Sequence, residues 1–208
     1  MLEHLHLVRH GEVENPDHVV YADLPGFSLS EAGRAQARAA AEHLAPLRPD
    51  AIVSSPLDRA RETAVSIATL LGLEVAIDDR LTEWSLSSRW RGVRWEELPE
   101  RFPGELEAYL ATPLDLPFAP ESVADVSERM AAVVDGLDAT PHRCVALVSH
   151  QDPVQALRML LRGDLGSFPV AKPGHASVSS FERVPGGWRE TGYWEPDIPS
   201  EPFPPPRS

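Results

Sequence analysis

Short apolar runs alternate with longer segments of helical periodicity along most of this chain, and that alternation most restricts the folds open to it. Leu5-His6-Leu7-Val8, Ala51-Ile52-Val53-Ser54, residues 73–77 and Cys144-Val145-Ala146-Leu147-Val148 are short and apolar. They read as strands buried on both faces. Residues 30–44, 55–71, 123–137 and 152–163 carry helix signals instead. Ser30 is placed to cap the first, and Ser55-Pro56-Leu57-Asp58 reads as an N-cap serine with proline at the first helical position, so a helix is expected from there to about Leu71, stopping at Gly72. Asp152-Pro153 should begin another capped helix that ends near Gly163. Strand and helix in this order imply an α/β protein, a three-layer α/β/α sandwich with a mostly parallel central sheet. Sites in such folds lie beyond the C-terminal ends of the strands.

Two stretches depart from that rhythm. Residues 84–120, rich in Trp, Arg, Glu and Pro, read as an inserted lid with helical pieces near residues 95–98 and 105–110. Residues 178–181 and 188–193, separated by Pro185-Gly186-Gly187, read as a closing hairpin at one sheet edge. A chain of 208 residues fits one domain, taken as residues 1–194, followed by a proline-rich tail over 195–208 that wraps the surface or lacks fixed structure.

Composition narrows the classes of function. No apolar run reaches the roughly 20 residues that span a bilayer, so no membrane partner is expected. The opening Met1-Leu2-Glu3-His4 lacks the basic and apolar segments of a secretory signal, which leads to an expected cytoplasmic location. A formal net charge of −13 argues against nucleic acid as a partner, because phosphate backbones are held by concentrated Lys and Arg. Cys144 is the only cysteine and reads as a buried, inert thiol.

The residues with chemistry cluster at strand ends. His10 follows the first run and His150 the fourth, so both should face one crevice. Arg59 falls in the first turn of the helix after the second run, where free backbone N–H groups favour an anion. With Arg9 it supplies two guanidinium forks that match phosphate oxygens. A lone Arg-His-Gly tripeptide would more often be structural. The ordered set of Arg9-His10-Gly11, Ser54 to Ala60 and Ser149-His150 is far more restrictive.

On Leu7-Val-Arg-His-Gly-Glu12, Ser54-Ser-Pro-Leu-Asp-Arg-Ala-Arg-Glu-Thr-Ala64, Leu81-Thr-Glu83, Glu121-Ser122 and Val148-Ser-His150, the chain resembles the histidine phosphatase superfamily, also called phosphoglycerate mutase-like. The likeness is to its small phosphatase branch and runs over residues 5–181. It implies a phosphoric monoester hydrolase with His10 as nucleophile, Arg9, Arg59 and His150 around the transferring phosphoryl group, and Glu83 as proton donor. Asn15 and Gln151 join them as phosphate-binding candidates, with a turn-forming role as the equal alternative for Asn15. The substrate implied is a small phosphorylated metabolite, a sugar phosphate or a nucleotide-derived phosphate, and the chemistry needs no metal and no cofactor.

The chain departs from the family pattern in two places. Val13 and Pro16 stand where a Ser or Thr and an Asn are usual, with Asn15 one position early. After Glu83 the stretch Trp84-Ser-Leu-Ser-Ser-Arg-Trp90-Arg-Gly92 is one residue longer than the family's. Glu12 is an alternative or auxiliary acid beside Glu83, or, as is more usual in its place, supports the loop. Arg89, Arg91 and Arg94, interleaved with Trp84, Trp90 and Trp95, either recognise the substrate's non-transferred part by stacking or by pairing a second anion, or form a surface segment whose tryptophans pack on the core. The remaining histidines show no ligand-like spacing. Phosphoglycerate mutase-type transfer and a catalytically weak phospho-ligand-binding module are the alternative functions. Oligomeric state is open, and a homodimer is compatible with the sequence.

Overall fold

The computed structural model describes residues 1–169 and 172–199. Along the chain come β1 (His4–Arg9), α1 (Glu31–Leu44), β2 (Ala51–Ser54), α2 (Asp58–Leu71), β3 (Val75–Ile77), α3 (Ser85–Arg89), α4 (Leu98–Arg101), α5 (Glu105–Ala111), α6 (Val123–Leu137), β4 (Cys144–Ser149), α7 (Gln151–Leu161), β5 (Val178–Val184) and β6 (Gly187–Trp194). The six strands form one sheet in the order β3-β2-β4-β1-β5-β6. Its first four strands are parallel, and β5 and β6 add an antiparallel edge. This is the mostly parallel α/β sheet that the alternating pattern implied.

The layers follow from the two-residue period of a strand, which sends successive side chains to opposite faces. Leu5, Leu7, Val145 and Leu147 pack with Met130 of α6 and Leu157 of α7. Val8, Ala146 and Val148 pack on the other face with Ala40 of α1 and Ala64 of α2. Each face is therefore covered by a helix pair, and truncating a fully buried leucine in either layer would cost about 2–5 kcal/mol. Alanines dominate the α1/α2 layer, which lets those helices approach the sheet closely.

Two helix starts differ from expectation. α2 begins at Asp58 with Leu57 as its cap and no side-chain capping bond. The Ser55 hydroxyl is drawn instead to the Nε2 of His150 at 2.8 Å, so residues 55–57 form a bend rather than a helical turn. Likewise α7 begins at Gln151 with His150 as its cap, because the Asp152 carboxylate accepts from Tyr109 and Lys172. Ser30 does cap α1, accepting from the Gly33 N–H at 2.9 Å, and α2 stops at Gly72 in the left-handed conformation.

The inserted segment holds α3, α4 and α5, of which α3 carries no clear sequence signal. Trp84 and Trp90 are each 1% exposed and join the core on the α6/α7 side. Of the tail, residues 195–199 are described, and the Gln36 amide donates to the Ile198 carbonyl at 3.2 Å, setting that piece against α1. Residues 200–208 lie outside the described residues. Among the described residues no helix is long and apolar enough to cross a membrane.

Candidate active site

The parallel register places Arg9 at the end of β1 opposite Ser149 at the end of β4. The residues that follow, His10 and His150, therefore emerge side by side, with ring centroids 5.2 Å apart and planes at 61°. The backbone N–H of His10 donates to the Ser149 carbonyl at 2.9 Å, and that of Ser55 donates to Val148 at 2.9 Å, so the ends of three strands are tied together.

The His10 ring is fixed by its own turn. Its Nδ1 lies 2.7 Å from the Gly11 carbonyl, which only accepts, so Nδ1 carries the proton and Nε2 keeps its lone pair. Burial, helped by the charges of Arg59 and Arg9, holds the His10 imidazole well below its usual range, and the ring is neutral at physiological pH. Burial and the charges of Arg59, Arg129 and Arg9 do this to His150.

Both guanidinium groups are pinned from behind. Arg9 donates through Nη1 to the Pro173 carbonyl and through Nη2 to Nε2 of His175, each at 2.8 Å. His175 must be unprotonated at that nitrogen, and burial with the Arg9 charge lowers its pKa to about 3. Arg59, 1% exposed, donates through Nη2 to the Ala22 carbonyl at 2.9 Å and lies 4.7 Å over the Tyr21 ring. Ala22 presents that carbonyl from a left-handed conformation with φ of 44°, a strained geometry for alanine. The Nε atoms of Arg9 and Arg59 and the Nδ1 of His150 are buried without a hydrogen-bond partner among the described residues.

Glu83 lies on the wall of the same cleft, which has a volume of about 490 Å³. Burial first, and then the Asp152 carboxylate, push its pKa up to about 7 against an ordinary 4.5. One carboxyl oxygen accepts from the Trp84 N–H at 2.8 Å. The segment is braced by Arg129, which donates to the carbonyls of Thr82 and Glu83 and to the carboxylate of Glu121. Glu121 in turn accepts from the Ser85 N–H. A larger groove of about 860 Å³, lined by Ala37, Ala41, Val65 and Leu70 between α1 and α2, contains neither histidine.

A buried pair of neutral imidazoles, two cornered arginines and a carboxyl held near neutrality is an arrangement for a phosphoryl group. The family profile described as histidine phosphatase superfamily (branch 1) matches residues 5–195. The chain belongs to that superfamily. Its relatives include the glucosyl-3-phosphoglycerate phosphatase of Mycobacterium tuberculosis, 34% identical over 195 residues, 88% of this chain and 85% of that one. Phosphoserine phosphatase 1 of Hydrogenobacter thermophilus is 35% identical over 165 residues, 78% of each chain. The structure of mycobacterial glucosyl-3-phosphoglycerate phosphatase in complex with VO3 superposes with a TM-score of 0.79 at 32% identity, covering 93% of this chain and 98% of that one. As a member of this superfamily with such relatives, the chain is a phosphatase acting on phosphate monoesters.

Of the site residues read from the sequence, Arg9, His10, Asn15, Arg59, Glu83 and Gln151 line the cleft, and His150 stands against His10. The Asn15 carboxamide is engaged at both ends with Val19, donating to its carbonyl at 3.0 Å and accepting from its N–H at 3.2 Å, so it shapes the loop that carries it. Glu12 accepts from the Ser30 hydroxyl at 2.7 Å, which ties the acid to the start of α1. Four residues with clear roles in this geometry were not singled out by sequence reasoning: Ser55, Arg129, Asp152 and His175. Only Ser55 and Asp152 carried a signal, and both read as helix caps.

Proposed function

We propose that the protein hydrolyses a small phosphate monoester through a phosphohistidine formed on His10. The neutral Nε2 attacks phosphorus, the P–N bond forms, and the P–O bond to the leaving alcohol breaks. The Gly11 carbonyl, accepting from Nδ1–H, steadies the imidazolium that develops. Arg9, Arg59 and His150 surround the non-bridging oxygens and lower the energy of the charge they carry, with Gln151 at the helix N-terminus beside them. Glu83 in its protonated form gives a proton to the departing oxygen. The resulting carboxylate then takes a proton from water, whose oxygen attacks phosphorus as the P–N bond breaks, which regenerates His10 and releases inorganic phosphate.

The observation that carries this reading is the convergence of His10 and His150, with centroids 5.2 Å apart, in a pocket whose cations are Arg9 and Arg59. A carboxyl with a pKa of about 7 in the same cleft supports the assignment of Glu83, since a general acid works best near the operating pH. A phosphatase assay over metabolite phosphates, with His10→Ala and Glu83→Gln beside the native protein, tests it. His10→Ala should abolish turnover. Glu83→Gln should impair alkyl phosphates more than p-nitrophenyl phosphate, whose leaving group needs no proton, and equal losses on both would refute the proton-donor role. Addition of 3-phosphoglycerate as acceptor should give no appreciable exchange between phosphoglycerate isomers, which separates hydrolysis from mutase-type transfer.

A further inference from the structure

Resting on the phosphatase reading, we propose that this site selects esters whose alcohol part is uncharged and carries a flat apolar ring, and discriminates against esters whose alcohol part bears a carboxylate. Among the described lysines and arginines, only Arg9 and Arg59 line the cleft, and both belong to the phosphoryl end. The four arginines of residues 84–120 are engaged elsewhere: Arg89 forks onto Glu105 at 2.7 to 3.1 Å, Arg91 pairs with Asp23 at 3.1 Å, Arg94 faces Asp17 at 3.7 Å, and Arg101 stands 4.0 Å from Glu97. Lys172 is held at 2.9 Å on Asp152.

The cleft's remaining ionisable groups are mostly acids. Glu12 and Glu14 line it together with the protonated Glu83 and the Lys172-paired Asp152, while His18 lies 3.4 Å from Glu96 and His175 is held neutral behind Arg9. A second anion on the substrate would leave water beside these acids and meet no free cation among the described residues, which disfavours it. Rings line the cleft instead. Trp95 is 37% exposed there and is braced edge-on by Trp90 at 6.2 Å, with Tyr21, Val20, Leu86 and Pro16 on the same lining. An exposed tryptophan on a cleft wall offers a stacking face whose burial by an apolar ring is favourable. The inference departs from the substrates named for both relatives, since phosphoserine and a phosphoglycerate derivative each contain a carboxyl group in the alcohol part.

The test is kcat/KM for benzyl phosphate, glycerol 3-phosphate, O-phospho-L-serine and 3-phosphoglycerate. Their leaving groups are all alkyl alcohols, so the comparison reports mainly recognition of the alcohol part. Benzyl phosphate should exceed both carboxylate-bearing esters by at least about tenfold. Trp95→Ala should raise KM for benzyl phosphate by about tenfold and leave phosphoserine within about twofold, while Trp95→Phe keeps most of the preference. Equal or greater efficiency with phosphoserine or 3-phosphoglycerate would overturn the inference, as would a uniform loss on every ester in Trp95→Ala. Hydrolysis of none of the four, nor of p-nitrophenyl phosphate, would instead overturn the phosphatase reading on which it rests.

Discussion

Glu83→Gln should make the protein more stable at alkaline pH while making it a worse catalyst. In the unfolded chain Glu83 loses its proton near 4.5, whereas burial and the Asp152 carboxylate hold it to about 7 in the fold. Between those values the folded protein keeps a proton that the unfolded chain has released, so stability falls as pH rises through this window and the whole penalty is present above about 7. A gap of about two and a half units, at about 1.4 kcal/mol per unit, corresponds to about 3.5 kcal/mol, which the partial exposure of the side chain trims to about 2. Glutamine has no charge to bury and can still accept from the Trp84 N–H. His10 and His150, held below their usual range, destabilise the fold in the opposite direction as pH falls below about 6.5, and they do so in both proteins. Thermal melts of native and variant protein at pH 5 and pH 8 isolate Glu83 by difference. The variant should gain little at pH 5 and about 2 kcal/mol at pH 8, a rise in Tm of about 4–8 °C for a chain of this size. A difference that does not change with pH, or a variant less stable at pH 8, would refute the assignment of the raised pKa to Glu83.

Further outcomes follow from the same geometry. In kcat/KM for an alkyl phosphate, the native enzyme should lose activity above about pH 7 as Glu83 gives up its proton, and Asp152→Asn, which removes a negative neighbour but leaves Lys172 in place, should move that alkaline limb to lower pH. A limb that stays where it is would remove Asp152 from the account. Gly33→Ala should destabilise by about 2–3 kcal/mol in urea denaturation, because a Cβ there would lie 2.0 Å from the Glu12 carbonyl oxygen, which is backbone and has nowhere to go. A loss under about 0.5 kcal/mol would contradict that packing.

The parts of this fold that were legible in the sequence are those that physics fixes locally. β1, β2 and β4 are apolar runs that a parallel sheet buries on both faces, and α1 carries a serine cap that the structure uses as such. Those strand ends were enough to bring His10 and His150 together. What could not be read depends on partners distant in sequence. Ser55 has the composition of a helix cap, but its hydroxyl reaches His150, 95 residues away. Asp152 looks like a cap and instead accepts from Tyr109 of the inserted segment. His175 carries no spacing signal at all, since its role behind Arg9 arises only when β5 pairs with β1. The lid arginines illustrate the same limit, because whether they meet a substrate or an acid of their own chain is decided by the path of residues 84–120.

The central claim is that the phosphoryl group passes through the His10 imidazole. Rapid acid-free quenching of the native enzyme with a 32P-labelled monoester, followed by peptide mapping, tests it most directly. Alkali-stable, acid-labile label is expected on the peptide carrying His10, formed fast enough to lie on the path to product and missing in His10→Ala. Product formation with no label on that peptide, or labelling and turnover that survive the loss of His10, would contradict it.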